Sequence, residues 1–394
     1  MCQRKRDYDR LTMVLRSHRF AQHHNTGGTK RVFVLLGLLW LCLVTAARCP
    51  IDSIFGKLNF FIVPTASYAP ETNWAFGVAG AYFFNCKDQP RTSDMSLNTN
   101  YTLNHQFSFS VTSNIYFAAS KRWMIYSKIK FRHYPYYFYG IGNTAERMLP
   151  QRMLYTSNCI QLKAQPQYYL TDHWLIGAAI HFRWEQTFDT DSLVDLTDPV
   201  RGFGKYLMFG LGTVISYDTR NNINYPNGGI FFKSTVLYYE PLLGSSYRSG
   251  NITTDFRHFI SIYKQLIFAW QFTTEWTLGH AQPFQLLPTL GGTDLLRGVI
   301  NGQWRDEAMM ALQAELRIPI WHFIKGTVFG GIGDVYNLRD WLWATPKIGY
   351  GAGLRLTFNK ANVNLRFDIA RKNLNTTGRE RDAWNYYITI KEAF

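Results

Sequence analysis

Arg297 and Glu315 are the two residues of this chain whose types and placement best fit specific chemistry. A guanidinium can grip a carboxylate through two parallel hydrogen bonds, and away from bulk water it requires such a partner. Arg297 stands in the run LGGTDLLRGVINGQWRDEAMMALQAELRIPI, Leu290 to Ile320, among Gly291, Gly292, Asp294, Gly298 and Gly302. Those residue types tolerate bends and unusual backbone angles. From Ala311 the run alternates, with Leu312, Ala314, Leu316 and Ile318 on one face and Gln313, Glu315 and Arg317 on the other. A period of two is a strand. Spacing alone is met equally by an exposed loop arginine and an unrelated strand glutamate. Nucleophile elbows, phosphate loops and His-Glu-x-x-His clusters do not occur. Histidines from His105 to His322 are scattered, and His105 and Ser108 have opposite strand parity, so a phospholipase pairing fails. No catalytic residue, metal or cofactor is expected.

The strand holding Glu315 is one of sixteen alternating segments that follow one another from Lys57 to Phe394 without a linker. In the eleventh, Leu266, Phe268, Trp270, Phe272, Trp276 and Leu278 alternate against Gln271, Thr273 and Glu275. Connections after odd-numbered segments are long and polar, as in TFDTDSLVDLTDPVRGFG, whereas those after even-numbered segments are mostly short, as in LTD and NKA. A soluble sandwich also alternates, but this loop asymmetry belongs to transmembrane barrels, which have long outer loops, short periplasmic turns and strands of about ten residues. A closed barrel leaves no unpaired edge in hydrocarbon. The fold class expected is therefore all-β, a transmembrane antiparallel β-barrel of sixteen strands. In the late strands Ile348, Tyr350, Ala352, Leu354 and Leu356 face one way and Lys347 and Arg355 the other, placing charge in the lumen.

Of the 394 residues, 16% are aromatic and only 18% charged, which excludes a disordered chain. One uninterrupted apolar run, Val32–Val44, is 13 residues long, short of the roughly 20 that a spanning helix needs. Lys30-Arg31 before it and Thr45-Ala46-Ala47 after it make an export signal. Residues 1–48 are thus expected to be a removed leader with a basic lead, and 49–394 the barrel. The formal net charge of +15 includes nine basic residues in that leader. The remainder form no dense patch with interleaved aromatics, so nucleic acid is not an expected partner. Mild basicity suits anionic lipid headgroups. Cys49, Cys86 and Cys159 have no metal-type spacing, and a single Cys49–Cys86 bridge stays open.

Gly291-Gly292, then Leu296-Arg297-Gly298, then an aromatic and acidic segment and a strand with Glu315-Leu316-Arg317 resemble the bacterial surface antigen superfamily, the BamA/TamA-type outer-membrane assembly barrels. SYDTRNNINYPNGG, with Asp218, Arg220, Pro226 and Gly229, is similar to that family's turn between the eighth and ninth strands, and SYAPETNWAFGVA, GYGAGLRLTF, LRFDIAR and the terminal aromatic Phe394 also resemble it. The resemblance implies that the loop between strands eleven and twelve folds into the lumen. Its tip, Arg297, Gly298 and Val299 with Asp294 nearby, would meet an acidic residue of the inner wall, for which Glu315 is the candidate. Phe394 would be the C-terminal signal read by the assembly machinery. Val299 replaces a usual aromatic. Gly331 stands where the family often has an inward aspartate, and Asp334 has the opposite parity, so Glu315 is expected to hold Arg297 alone. The family's periplasmic polypeptide-transport-associated (POTRA) domains have no room between Cys49 and the first strand.

The function implied is insertion or translocation of proteins at the outer membrane of a Gram-negative bacterium. It would involve outer-membrane lipid, lipopolysaccharide and periplasmic or outer-membrane partner proteins. Pro64 and Gly56 would weaken pairing at the seam between first and last strands. The alternative is a structural or pore-forming barrel subunit with no insertase activity.

Overall fold

The computed structural model describes residues 60–394 except 70–72, 85–90, 104, 118–121, 144–152, 189–199, 280–281, 340–344, 358–363, 374–383 and 391. Residues 1–48, the expected leader, and Gly56, Cys49 and Cys86 lie outside the described residues, and Cys159 is a buried free thiol.

Alternating segments become strands because every second side chain can then meet one solvent. The first eleven are β1 (Phe60–Ala69), β2 (Asn73–Phe84), β3 (Ser93–Thr102), β4 (Phe107–Tyr116), β5 (Trp123–Phe138), β6 (Met153–Tyr169), β7 (Trp174–Phe188), β8 (Lys205–Asp218), β9 (Gly229–Tyr239), β10 (Ser249–Tyr263) and β11 (Leu266–Leu278). A long connection carries two short strands, β12 (Thr289–Leu290) and β13 (Trp304–Arg305). The wall resumes with β14 (Ala308–Trp321), β15 (Ile324–Tyr336), β16 (Lys347–Thr357), β17 (Asn364–Asn373) and β18 (Asn385–Ile390). Sixteen wall strands form one antiparallel meander, with β11 paired to β14 across the connection. The twelfth alternating segment of the sequence is thus β14. The sheet curls until β1 and β18 approach each other, yet no ladder joins them among the described residues. The barrel is nearly closed, with one seam.

Burial along the strands is the inverse of a soluble protein. On β14, Leu312 is 43% exposed while Gln313, Glu315 and Arg317 are buried, and β15 exposes Val328 at 55%. The largest fully buried side chains include Arg297, Arg317, Arg355 and Arg366. Such a molecule can be stable only where its outer face meets hydrocarbon and its charges pair inside. Wall height varies. β5 to β8 have 16, 17, 15 and 14 residues, more than the roughly 9–11 needed to cross. β18, at the seam, has 6.

Candidate functional site

The connection from Gly279 to Glu307 enters the lumen because it carries an apolar core of its own. Leu290, Leu296, Val299 and Trp304 bury themselves against Met309, Ala311 and Val335 of the wall. The β12–β13 pairing, Thr289 to Arg305 and Leu290 to Trp304, closes this hairpin. On one side Phe284 sits in an aromatic cluster, its ring centroid 4.8 Å from Phe138, 5.3 Å from Tyr155 and 4.9 Å from Phe203. Arg305 donates to the Phe284 carbonyl at 3.1 Å and lies over the same ring. On the other side the Gln313 side chain accepts from the Leu296 amide at 3.1 Å and donates to the Asp294 carbonyl at 2.8 Å. The loop therefore braces the β5–β6 wall against β14.

At the tip, Arg297 is held by two carboxylates. Its Nη2 donates to Glu315 Oε2 at 2.8 Å and its Nη1 to Asp368 Oδ2 at 2.7 Å, and its guanidinium lies 3.5 Å from the centroid of Phe329. All three charged side chains are fully buried. The expectation that Glu315 alone holds the arginine is corrected here. Gly331 does line the tip, close to Leu296, and Asp334 is turned away to pair with Lys347 at 2.7 Å. The second carboxylate comes instead from β17, which barrel curvature brings over the tip. Arg366 and Asp368 stand two apart in NVNLRFDIARK and so share one face of β17. Nothing in the spacing linked that face to residues some seventy positions earlier.

Further arginines complete the cluster. Arg317 donates from Nε to Glu315 at 2.7 Å, and Arg355 bonds Asp368 at 2.5 Å and Glu392 at 2.9 Å. Arg366 reaches Asp294 at 3.1 Å and Asp368 at 3.4 Å. Asp294, proposed as part of the tip, is mostly exposed and anchors its flank through Arg366. Buried ion pairs stabilise only with satisfied geometry, and removing one partner costs about 3–5 kcal/mol.

Gly298 has φ +99°, a backbone region open chiefly to glycine. A β-carbon there would lie 2.6 Å from the Arg371 carbonyl oxygen. This close approach lets the tip reach the last strand: the Gly298 amide donates to the Tyr387 hydroxyl at 3.2 Å, and Asn385 Nδ2 donates to the Gly298 carbonyl at 2.9 Å. Val299 points into the loop core.

The β8–β9 connection is a second built element. Asp218 accepts from Arg220 Nε at 3.0 Å and Nη2 at 2.9 Å, and from the Arg220 amide at 3.1 Å. Gly229 has φ +103°, and a β-carbon there would collide with the Thr219 carbonyl. The Pro226 carbonyl accepts from Arg317 at 3.2 Å, and so does that of Phe394 at 2.9 Å. Three signals read separately in the sequence, the turn, the terminal aromatic and Glu315, thus converge on Arg317. The sequence reading placed Arg317 on the polar face and gave it no role.

The residues so arranged can clamp and brace, and comparison with known proteins agrees with the architecture. An Omp85 superfamily domain matches residues 65–394, and the chain belongs to that superfamily, whose barrels are outer-membrane proteins of Gram-negative bacteria. Among solved structures, BamA from Haemophilus ducreyi lacking POTRA domains 1–3 is similar, with a TM-score of 0.57 at 14% identity over 85% of this chain and 70% of that one. CdiB from Acinetobacter baumannii gives 0.56 at 14% identity over 84% and 59%, and CdiB from Escherichia coli 0.55 at 11% over 84% and 61%. The chain spans about three fifths of the length of the CdiB structures. No curated protein matches it.

Proposed function

We propose that this barrel takes part in inserting or translocating proteins at the outer membrane, through opening of the β1–β18 seam under control of the lumen loop. The observation that carries this reading is the grip of one loop tip on the strands that lead up to the seam from one side. Arg297 holds β14 and β17 through Glu315 and Asp368, while Gly298 holds β18 through Tyr387 and Asn385. The last strand is the shortest wall strand and has no ladder to β1 among the described residues. A passive pore has no need to tie its weakest strand to a central plug. Membership of a superfamily that includes insertases and transporters supports the reading, although a fold by itself specifies no activity.

Residues 1–48 act in this reading as a cleaved export leader. Lipid and lipopolysaccharide surround the outer face, and partner proteins supply client docking. Sequencing the amino terminus of the protein recovered from outer membranes tests the leader. The seam is tested by cysteine pairs placed across β1 and β18. Assembly of client outer-membrane proteins falls when the pair is oxidised and recovers on reduction; unchanged assembly in the oxidised state returns the protein to the structural or pore-forming class.

A further inference from the structure

We propose that the lumen wall built by β5, β6 and β9 is a lane for small inorganic anions, making the barrel selective for chloride over potassium. Strand parity puts Lys128 and Lys130 of β5 and Lys163 of β6 on the lumen face, with Ile129 and Leu162 turned outward. Lys128 stands directly opposite Lys163 in the ladder, and like charges in that position destabilise a sheet. None of the three has a carboxylate partner among the described residues, and each is half-buried rather than sealed.

The arginines around this wall, unlike its lysines, have carboxylate partners. Arg132 and Arg183 share Glu185, and Arg257 holds Asp255. A fourth lysine, Lys233 of β9, converges on the stripe, with its Nζ 4.5 Å from the centroid of Tyr126, two residues before Lys128. Two cavities flank it. One of about 360 Å³ is lined by Tyr126 and Lys233 together with Asp218, Asp255, Glu392 and three arginines, and one of about 170 Å³ by Lys163, Arg183, His181 and Glu275. Glu275 shares the smaller cavity with Lys163 and Asp255 the larger one with Lys233, and Glu275 accepts from Asn251 at 3.0 Å. Against Glu275 and Asp255, the second already holding Arg257, the four lysines leave an excess of positive charge between the two cavities. Charge of one sign in a confined space with low-dielectric walls concentrates the opposite ion, and rings of Lys and Arg are how anion pores select.

The test is the reversal potential of the purified full chain in neutral phosphatidylcholine bilayers under a potassium chloride gradient. The unmodified protein is expected to prefer chloride. The triple variant Lys128→Gln, Lys130→Gln, Lys163→Gln should lose that preference, and the triple Lys→Arg variant should keep it. Heat-modifiable gel migration identifies a variant that has not folded, in which case Lys128→Gln and Lys163→Gln are measured singly. Absence of conductance, a preference for potassium in the unmodified protein, or a reversal potential unmoved in the folded glutamine variants overturns the proposal.

Discussion

Replacing Glu315 with Gln leaves Arg297 and Arg317 each short of a buried partner, so a loss of about 3–5 kcal/mol is expected, read from denaturant unfolding in detergent. Asp368→Asn removes the other half of the Arg297 clamp. Because both carboxylates act on one guanidinium, the double variant should lose less than the sum of the singles. Strict additivity would mean that Arg297 does not couple them. Arg297→Lys keeps the charge but cannot present a fork to two carboxylates, so a loss of about 2 kcal/mol is expected. At this level the sequence was half informative. Arg297 and Glu315 could be named because a glycine-rich loop and strand parity are local features. Asp368, Arg355 and Glu392 could not be joined to them, because alternation gives a residue's face, as it did for Arg355, but not its neighbours around the wall.

Phe284→Ala should free the outer half of the lumen loop by removing an aromatic ring from three others, at a cost of about 3–5 kcal/mol. Faster proteolysis within residues 282–307, with the wall intact, is the readout, and unchanged proteolysis would mean that the hairpin core holds the loop unaided. Outside the strands, Glu240 is held below the usual carboxylate range by hydrogen bonds from Arg248 and Tyr238. Its contribution is present above the unfolded carboxylate value and is lost as pH falls through the lowered one. The protection factors of the amides of residues 240–248, rates corrected for intrinsic exchange, should therefore fall in acid, and the glutamine variant should show the acid protection factors already at neutral pH. Strand positions followed from alternation, and the odd and even asymmetry of the connections from their lengths. The two short strands inside the long connection did not, since a two-residue ladder leaves no period to read.

Local opening is cheapest where pairing is least. Hydrogen exchange in lipid should thus be faster in β1 and β18 than in β6 and β7, and slow exchange throughout would argue against a seam that opens. For the molecule as a whole, the amino-acid order by itself determined that every second side chain of the wall meets hydrocarbon, that charge turns inward, and that sixteen strands suffice to enclose it. These are consequences of backbone geometry repeated every two residues. Only the tertiary structure decided which inward charges meet, that Arg317 joins the turn, the terminus and the loop partner, and that the tip grips the last strand. Those contacts depend on curvature and register summed over many pairings, and no stretch of sequence carries that sum.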